Sequence, residues 1–546
     1  RKEGNTFCLH GRAPEKDDDF HSFLFGLELN GFEYAICNTT VSGRVVPSLK
    51  KSNFKIISLI HELPSLIREY ELQENCKHIA QEANKVIFAS EIVKNGFQKF
   101  ADVPSEKPLI LPQGVYAFPL DNLDEIPKGT LREELSLKET DQIVLSVGFA
   151  DLRKGVDLFV RIADQVIAKN KNIHFVWIGN THGQIFHWIE HDVALLPVKD
   201  NIHFLSFREN ISDYIIDADL YLLTSREDPF PTVVLEAMAF GKPVIAFEGS
   251  GGIVELNKHG SVLETVPYLD VDQMAKKAEW LLAEPNKDAY DIISEESKML
   301  IEEKFRYDDY CFEVIQQLVP DLKKVSVVVP NYNYAHTLEE RLVTIWDQDY
   351  PIFETIILDD KSTDNSLEVI DRLSKKYKRT IRLFVNEENS GTPFAQWKKG
   401  VEKARGEFVW IAEADDLSKP SFLSELLPFF ETPEVGMAYA QSEQIDEKGN
   451  FLAPDYLYYT DELDRKKWRQ DYIQDGIKEI EEALSIKNTI LNVSAVLWRK
   501  DRLADILFKE YENIRSFKVA GDWYLYIKFL KNSKISFLAQ PLNIHR

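Results

Sequence analysis

The chain has 546 residues, of which 44% are hydrophobic and 28% are charged. These values are typical of a globular protein, and the length predicts about three domains. The net charge of −24 argues against broad affinity for nucleic acid or anionic lipid. No apolar run approaches the length of a membrane span, and the N-terminus has no secretory signal pattern.

The ends and the cysteines give two further expectations. The chain begins without Met and stops directly after a strand-like segment, so we expect a piece excised from a longer protein. Its four cysteines, Cys8, Cys37, Cys76 and Cys311, lack metal-ligand spacing. This scatter favours a reducing cytosol over a disulfide framework.

Short apolar runs alternate with helical or loop stretches along most of the chain, which predicts an α/β fold with parallel sheets. Residues rich in Pro and Gly near 112–125 predict one boundary, and a restart of the pattern near Lys323 predicts another. We therefore expect domains at 1–118, 119–322 and 323–546. The predicted strands are KIISLI, KVIFAS, QIVLSVG, IHFVWIG, LYLLTS and PVIAFE in the first half, and VSVVVPN, ETIILDD, IRLFVN and FVWIA in the second.

The last of these strands ends in three carboxylates, Glu413, Asp415 and Asp416. Like charges this close repel one another, and a divalent cation with oxygen ligands would compensate them. The alternative is a solvated turn in which Asp416 or Ser418 caps a helix that begins at Pro420. These residues alone leave both interpretations open.

The surrounding motifs favour the cation. A strand ending in VPNYN precedes one ending in DDKSTD, then ENSG, then the acidic strand end. In this combination, residues 323–546 resemble inverting family 2 glycosyltransferases of the GT-A fold, which implies Mg²⁺ or Mn²⁺ on the diphosphate of a nucleotide sugar. The family usually has Asp at the position of Glu413, so the identity of the metal ligand stays open. The implied contacts are Tyr332 with the base, Asp359 and Asp360 with base or ribose, and Asp415 and Asp416 with ribose and metal.

Inverting transfer also needs a base that deprotonates the acceptor hydroxyl. The segment VAGDWYLYIKFL resembles the acceptor side of the family, which implies that Asp522 is this base. The alternative is that Asp522 caps the helix after Gly521. The ending LNIHR resembles the start of a family element whose histidine reaches the diphosphate, so His545 is a further donor-binding candidate.

The first half carries LLTSREDPFPTVVLEAMAFGKPVIAFEGSGG. It resembles retaining family 4 glycosyltransferases of the GT-B fold, which have two acidic residues with seven between them. Those positions are Asp228, usually Glu in the family, and Glu236. The resemblance implies that Asp228 contacts the donor sugar and Glu236 the ribose. Glu236 lies on a predicted short helix that Gly241 ends, and the N-terminus of this helix offers free N–H groups to a diphosphate.

Two further segments resemble the donor side of that family. SVGFADLRKGVDLFVRIAD matches a loop with a diphosphate-binding lysine, here Lys154, and Arg153 replaces an arginine usual where Phe149 stands. LIHELPSLIREY supplies His61, which faces the sugar in relatives. The alternatives are that Lys154 and Arg153 are solvated charges and that His61 is a core histidine. The glycine-rich acceptor loop is represented only by Gly11.

We therefore expect a bifunctional glycosyltransferase with a retaining and an inverting site. It would transfer hexose-type sugars from nucleotide sugars to a surface glycan, such as an O-antigen, capsule or S-layer glycan, or to a lipid-linked acceptor. We expect a cytoplasmic enzyme at the inner face of the membrane, in contact through a partner protein or a local patch. The alternatives are one active GT-A enzyme with a non-catalytic GT-B glycan-binding or scaffold module, and a nicotinamide oxidoreductase, for which a G-x-G-x-x-G after a strand is missing.

Overall fold

A computed structural model describes residue 14 and residues 17–118, 120–517 and 520–546. Cys8 and Gly11 lie outside the described residues. The chain forms two compact units, one ending at Pro320 and one running from Asp321 to Arg546. Among the described residues, none of the helices combines the length and the apolar character that crossing a membrane requires. The two predicted domain boundaries stay a prediction.

The first unit begins with a sheet of four parallel strands in the order β1-β2-β3-β4. Its central strands are continuous apolar runs, because both faces of a parallel sheet are covered by helices. The strands are β1 (Tyr34–Asn38), β2 (Lys55–Ile60), β3 (Lys85–Phe88) and β4 (Pro108–Ile110), and the helices are α1 (Asp18–Leu29), α2 (Val46–Lys51), α3 (Pro64–Glu69), α4 (Gln73–Glu82) and α5 (Glu91–Phe97).

A second sheet of six parallel strands follows in the order β10-β9-β8-β5-β6-β7. This order reverses at β5, and such a switch point is where doubly wound sheets bind ligands. The strands are β5 (Gln142–Val147), β6 (Ile173–Ile178), β7 (Ile202–Leu205), β8 (Leu220–Leu223), β9 (Val244–Phe247) and β10 (Glu264–Val266). The helices are α6 (Thr130–Leu135), α7 (Val156–Lys169), α8 (Gln184–Leu195), α9 (Ser212–Ile215), α10 (Thr232–Ala239), α11 (Val271–Leu282) and α12 (Lys287–Lys304).

One further helix, α13 (Tyr307–Gln316), follows the second sheet in the chain but packs on the first. Tyr310 and Val314 contact Ile57 and Ile87, which are buried side chains of the first sheet. Residues after the second sheet therefore complete the core of the first.

The second unit contains a mixed sheet with the main order β13-β12-β11-β14-β19-β16-β20-β15. Strands β11 to β14 are parallel, and β19 joins β14 in the antiparallel direction. The strands are β11 (Val325–Asn331), β12 (Glu354–Asp359), β13 (Arg382–Val385), β14 (Phe408–Ile411), β15 (Leu417–Ser418), β16 (Val435–Ile445), β17 (Phe451–Ala453), β18 (Tyr472–Asp475), β19 (Val496–Arg499) and β20 (Lys534–His545).

Helices cover both faces of this sheet, in two separate apolar clusters. The helices are α14 (Leu338–Trp346), α15 (Ser366–Tyr377), α16 (Pro393–Lys403), α17 (Phe422–Leu426), α18 (Leu457–Thr460), α19 (Gly476–Glu479), α20 (Lys500–Lys509), α21 (Tyr511–Ser516) and α22 (Gly521–Leu530).

Every apolar run that the sequence predicts as a strand forms one, and the predicted α/β class is confirmed. The predicted helix start at Pro420 is wrong. Leu417 pairs with Ile544 of β20, so the backbone at Leu417 is an extended strand and not a helix. The helix begins at Phe422. Asp416 therefore does not cap it.

A buried ionic cluster joins four segments of the second unit. Glu354 accepts hydrogen bonds from Arg382 Nη1 at 2.6 Å and from Arg405 Nε at 3.0 Å. Ser326 Oγ donates to the same carboxylate at 2.5 Å. Removing one partner of such a cluster leaves a buried charge uncompensated.

We expect Glu354→Ala to destabilise this unit by about 3–5 kcal/mol, the usual cost of breaking a buried ion pair. Urea unfolding monitored by tryptophan fluorescence would measure the change. Glu339→Ala is the matched control, since Glu339 pairs with Arg372 and Lys376 at the surface and should cost less than about 1 kcal/mol. Equal losses in the two variants would contradict the prediction.

Candidate active sites

The larger site is a cavity of about 670 Å³ in the second unit. It lies where β14 ends, and its walls include Asp415 and Asp416. Asp522 from α22 and His545 from β20 also line it. Four residues selected from the sequence for one site thus surround one volume, and their individual roles stay predictions.

Hydrogen bonds from distant segments hold the acidic strand end. Trp397 Nε1 donates to Glu413 Oε1 at 2.7 Å. Asn492 Nδ2 donates to Asp416 Oδ2 at 2.8 Å, and the backbone N–H of Arg546 donates to Asp416 Oδ1 at 3.1 Å. Burial raises the pKa of Glu413 to about 8, even though the bond from Trp397 lowers it. The cluster is therefore fixed in place and electrostatically crowded.

Asp415 is the carboxylate best placed to meet a ligand. It is half-buried and lines the cavity, whereas Asp416 is 2% exposed. Burial raises the pKa of Asp415, and the charge of Asp416 raises it further. Among the described residues, no group of three or more His, Cys, Asp or Glu forms a protein-only metal set. Mg²⁺ is commonly held by one or two carboxylates together with substrate phosphates, and Asp415 and Asp416 fit that donor set.

The residues predicted to bind the nucleotide lie at the ends of β11 and β12 rather than at the acidic strand end of β14. Asp359 is fully buried and accepts from Ser362 Oγ at 2.7 Å, and Asp360 accepts from Ser390 Oγ at 2.7 Å. Tyr332 is exposed. Tyr332, Asp359 and Asp360 are described, but they do not line the larger cavity. The two carboxylates hold loops in place, and direct contact with a donor stays a prediction.

Asp522 lies in the first turn of α22 and faces the cavity. The residue at the N-cap position is Ala520, so Asp522 lies inside the helix rather than before it. Asn488 Nδ2 approaches Asp522 Oδ2 at 3.3 Å, and burial raises the pKa of Asp522. A half-buried carboxylate with a raised pKa is a suitable proton acceptor.

His545 is held by a tyrosine. Its Nδ1 lies 2.6 Å from the hydroxyl of Tyr456. Because Nδ1 is engaged there, Nε2 is the ring nitrogen left to face a ligand.

The second site is a cavity of about 370 Å³ in the first unit. His61 and Lys154 line it, together with Asp228 and residues 230–233 at the start of α10. Lys154 Nζ lies 2.5 Å from Asp228 Oδ2, and both side chains are largely buried. A cation, a helix N-terminus and a carboxylate thus converge on one volume, the combination that binds a diphosphate beside a polar sugar.

His61 contacts a polar neighbour as well as the cavity. Its Nε2 lies 3.1 Å from Asn38 Oδ1, and burial lowers the pKa of the ring. His61 is therefore favoured in its neutral form, which can both donate and accept a hydrogen bond.

Glu236 and Arg153 are described but do not line this cavity. Glu236 is 4% exposed on the apolar helix α10, and burial raises its pKa to about 7. Arg153 Nη1 donates to the backbone oxygen of Glu227 at 3.1 Å. It braces the loop that carries Asp228, and ligand contact by Glu236 or Arg153 stays a prediction.

The glycine pair in EGSGG has a packing role. A Cβ on Gly251 would lie 1.6 Å from the backbone oxygen of Asp228, and one on Gly252 would lie 2.3 Å from the side chain of Ser90. Neither position accepts a side chain without movement. The pair therefore permits a close approach beside the cavity, and no dinucleotide fingerprint is needed to explain it.

Comparison with known proteins identifies both halves. Residues 127–299 match the model described as "Glycosyl transferases group 1", and residues 326–487 match "Glycosyl transferase family 2". The chain is a glycosyltransferase with two such domains in tandem. The predicted pairing of a GT-B type domain with a GT-A type domain is confirmed.

Individual relatives are more distant. TuaG of Bacillus subtilis, a glycosyltransferase assigned to teichuronic acid biosynthesis, is 27% identical over 209 residues, which are 37% of this chain and 72% of TuaG. A β-1,3-glucosyltransferase of Campylobacter jejuni, named for a PP-undecaprenol-linked sugar chain, is 29% identical over 152 residues, 28% of this chain and 48% of that protein. The UDP complex of Anabaena HepE covers 55% of this chain and 81% of HepE, at 19% identity and a TM-score of 0.48.

Several residues around the larger cavity were missed from the sequence. Trp397 and Asn492 bond the acidic cluster, Tyr456 bonds His545, and Arg341 lies buried behind Trp410. Each lies at least 16 residues from its partner along the chain, and none belongs to a short motif. The one local signal available was that Arg341 shares a face of α14 with Leu338, Leu342 and Ile345.

The raised pKa of Glu236 gives a pH prediction. Its pKa rises from 4.5 in the unfolded chain to about 7 in the folded protein, so the folded state binds the extra proton between these values. This group therefore makes the protein less stable as pH rises through that window, by at most about 3 kcal/mol. Glu236→Gln cannot titrate, so its melting temperature relative to the parent should be higher at pH 8 than at pH 5.

Differential scanning calorimetry at the two pH values would measure this difference. Glu295→Gln, an exposed change on α12, is the control and should shift the melting temperature equally at both. If Glu236→Gln differs from the parent in melting temperature by the same amount at both pH values, the prediction is contradicted. That result would show that ionisation of Glu236 does not destabilise the protein.

Proposed function

We propose that the chain is a bifunctional enzyme with two active transfer sites, which builds a cell-surface glycan of O-antigen, capsule or S-layer type. The observation that carries this proposal is the cavity in which Asp415, Asp416 and Asp522 surround one volume. The named roles of the relatives in teichuronic acid synthesis and on an undecaprenol-linked chain support surface glycans and lipid-linked acceptors.

In the second unit, Asp415 and Asp416 would hold a divalent cation on the donor diphosphate. A bound Mg²⁺ or Mn²⁺ supplies Lewis-acid neutralisation of the negative charge that the leaving group develops. Asp416 is oriented by Asn492 and by the backbone N–H of Arg546, so it needs little rearrangement to receive a donor. His545 faces the same cavity and would donate to the diphosphate.

Asp522 would act as the base on the acceptor side. It would take the proton from the acceptor hydroxyl while that oxygen attacks the anomeric carbon from the face opposite the diphosphate. This geometry inverts the anomeric centre in one displacement. Asn488 keeps the carboxylate turned to the cavity.

In the first unit, we propose a retaining site that works without metal. Lys154 and the backbone N–H groups at the start of α10 would neutralise the diphosphate. Asp228 would bond the donor sugar, and His61, which lines the same cavity, would donate to it. The ion pair between Lys154 and Asp228 would have to loosen as the diphosphate enters.

Metal dependence separates the two sites. Nucleotide-sugar hydrolysis by the full chain should have a part that requires Mn²⁺ and a part that persists in EDTA. Asp415→Asn combined with Asp416→Asn should lower the first part at least about 100-fold, because several kcal/mol of charge stabilisation is lost. Lys154→Ala should lower the second part about 10–100-fold. Product release from a panel of nucleotide sugars would be measured by chromatography.

The controls remove equal charges elsewhere. Asp371→Asn and Lys169→Ala change exposed residues of the same two units and should leave both activities unchanged. If the parent shows no hydrolysis in EDTA with any donor, the first unit is a non-catalytic glycan-binding or scaffold module. If the second unit keeps its full activity in EDTA, the proposed metal-binding role of Asp415 and Asp416 is overturned.

Asp522→Asn tests the base. The amide keeps the shape and the hydrogen bond but cannot accept the proton, so turnover should fall about 10²–10⁴-fold. Donor affinity and melting temperature should change little, which calorimetry would verify.

Asp501→Asn is the matched control, because Asp501 occupies the first turn of another helix in the same unit, α20. It should leave turnover unchanged. Turnover within a few-fold of the parent in Asp522→Asn would place the base elsewhere, and a much lower melting temperature would favour a structural role.

A further inference from the structure

Arg341 is a charged side chain in the interior of the second unit. It lies on α14 and is 0% exposed. Its three guanidinium nitrogens, Nε, Nη1 and Nη2, have no hydrogen-bond partner among the described residues. Buried arginines normally have a carboxylate or carbonyl partner, as Arg382 of this unit has in Glu354.

The guanidinium lies over an aromatic ring next to the active site. Its Cζ is 5.0 Å from the centre of the Trp410 ring, which stabilises a cation by the negative face of the ring. Trp410 belongs to β14, the strand that ends in the acidic cluster. Arg341 therefore packs, buried, against the strand that leads into the carboxylates.

The surroundings leave Arg341 charged. Burial lowers its pKa to about 10, and the negative charges of Asp416, Asp415 and Glu413 oppose this decrease. At neutral pH the guanidinium is thus a fixed positive charge within electrostatic range of the three carboxylates. Charges interact strongly there because the buried medium screens them poorly.

We propose that Arg341 is a positioning residue that supplies a built-in counter-charge to the acidic strand end. Its positive charge lowers the affinity of the empty site for a divalent cation and raises the affinity for the negatively charged nucleoside diphosphate. The cation and the diphosphate are then favoured as a pair over the cation alone. This inference rests on the proposed metal role of Asp415 and Asp416.

The sign of each effect follows from Coulomb's law. A fixed positive charge repels Mn²⁺ and attracts a diphosphate, so removing it should have opposite effects on the two ligands. A merely structural role would weaken both affinities together. The two measurements thus separate charge from packing.

The experiment uses the full chain with Arg341→Met, which keeps a long apolar side chain, and Arg341→Gln, which keeps polarity, so that the test does not depend on one variant folding. Free Mn²⁺ would be counted by electron paramagnetic resonance during titration without nucleotide. UDP, the first of a panel of nucleoside diphosphates, would be titrated calorimetrically in EDTA. Binding of UDP to the first unit is common to all variants and cancels in the comparison.

Both variants should bind Mn²⁺ at least about tenfold more tightly than the parent. They should bind metal-free UDP about tenfold more weakly, because a poorly screened positive charge is lost. Arg372→Met, which removes an exposed charge from the same unit, is the control and should stay within about twofold of the parent.

Weaker Mn²⁺ binding, or no change, in a folded variant would overturn the role of Arg341 while leaving the metal site intact. Absence of Mn²⁺ binding by the parent, with and without UDP, would instead overturn the metal role of Asp415 and Asp416, and this inference with it.

Discussion

Negative charge gathered at the end of a buried strand is the constraint around which the family 2 domain is organised. Glu413, Asp415 and Asp416 follow four fully buried residues of β14, where poor screening makes their mutual repulsion large. Stability then depends on donors brought from elsewhere, namely Trp397 of α16 and Asn492 before β19. The helices and strands that supply these donors must therefore be in place before the site can exist.

The cavity of the first unit has the opposite charge arrangement. It already contains a cation, Lys154, beside the first turn of α10, so one carboxylate, Asp228, is balanced within the protein. The acidic cavity of the second unit has an excess of carboxylates instead. This difference in local charge, rather than the shape of either sheet, gives a physical reason why one site would need a metal and the other would not.

The sequence predicted strands better than it predicted contacts. Apolar runs such as KIISLI become strands because burial on both faces is a local property of the run. The helix start at Pro420 was mispredicted because Leu417 pairs with Ile544, a partner more than a hundred residues away. Trp397 lies 16 residues from Glu413 and Asn492 lies 76 residues from Asp416, so no short motif links either pair, whereas Asp415 and Asp522 could be selected because family motifs mark them.

The helix α13 has a consequence for how the protein is made. Tyr310 and Val314 cover apolar side chains of a sheet whose last strand, β4, ends at Ile110. During synthesis, about two hundred residues follow Ile110 before Tyr310 and Val314 emerge from the ribosome and can cover that face. The first sheet therefore cannot mature alone, as N-terminal domains usually do. A gene fragment cut at residue 118 would yield a protein with a bare apolar face, prone to aggregate, whereas one that extends through Leu318 would carry the complete core.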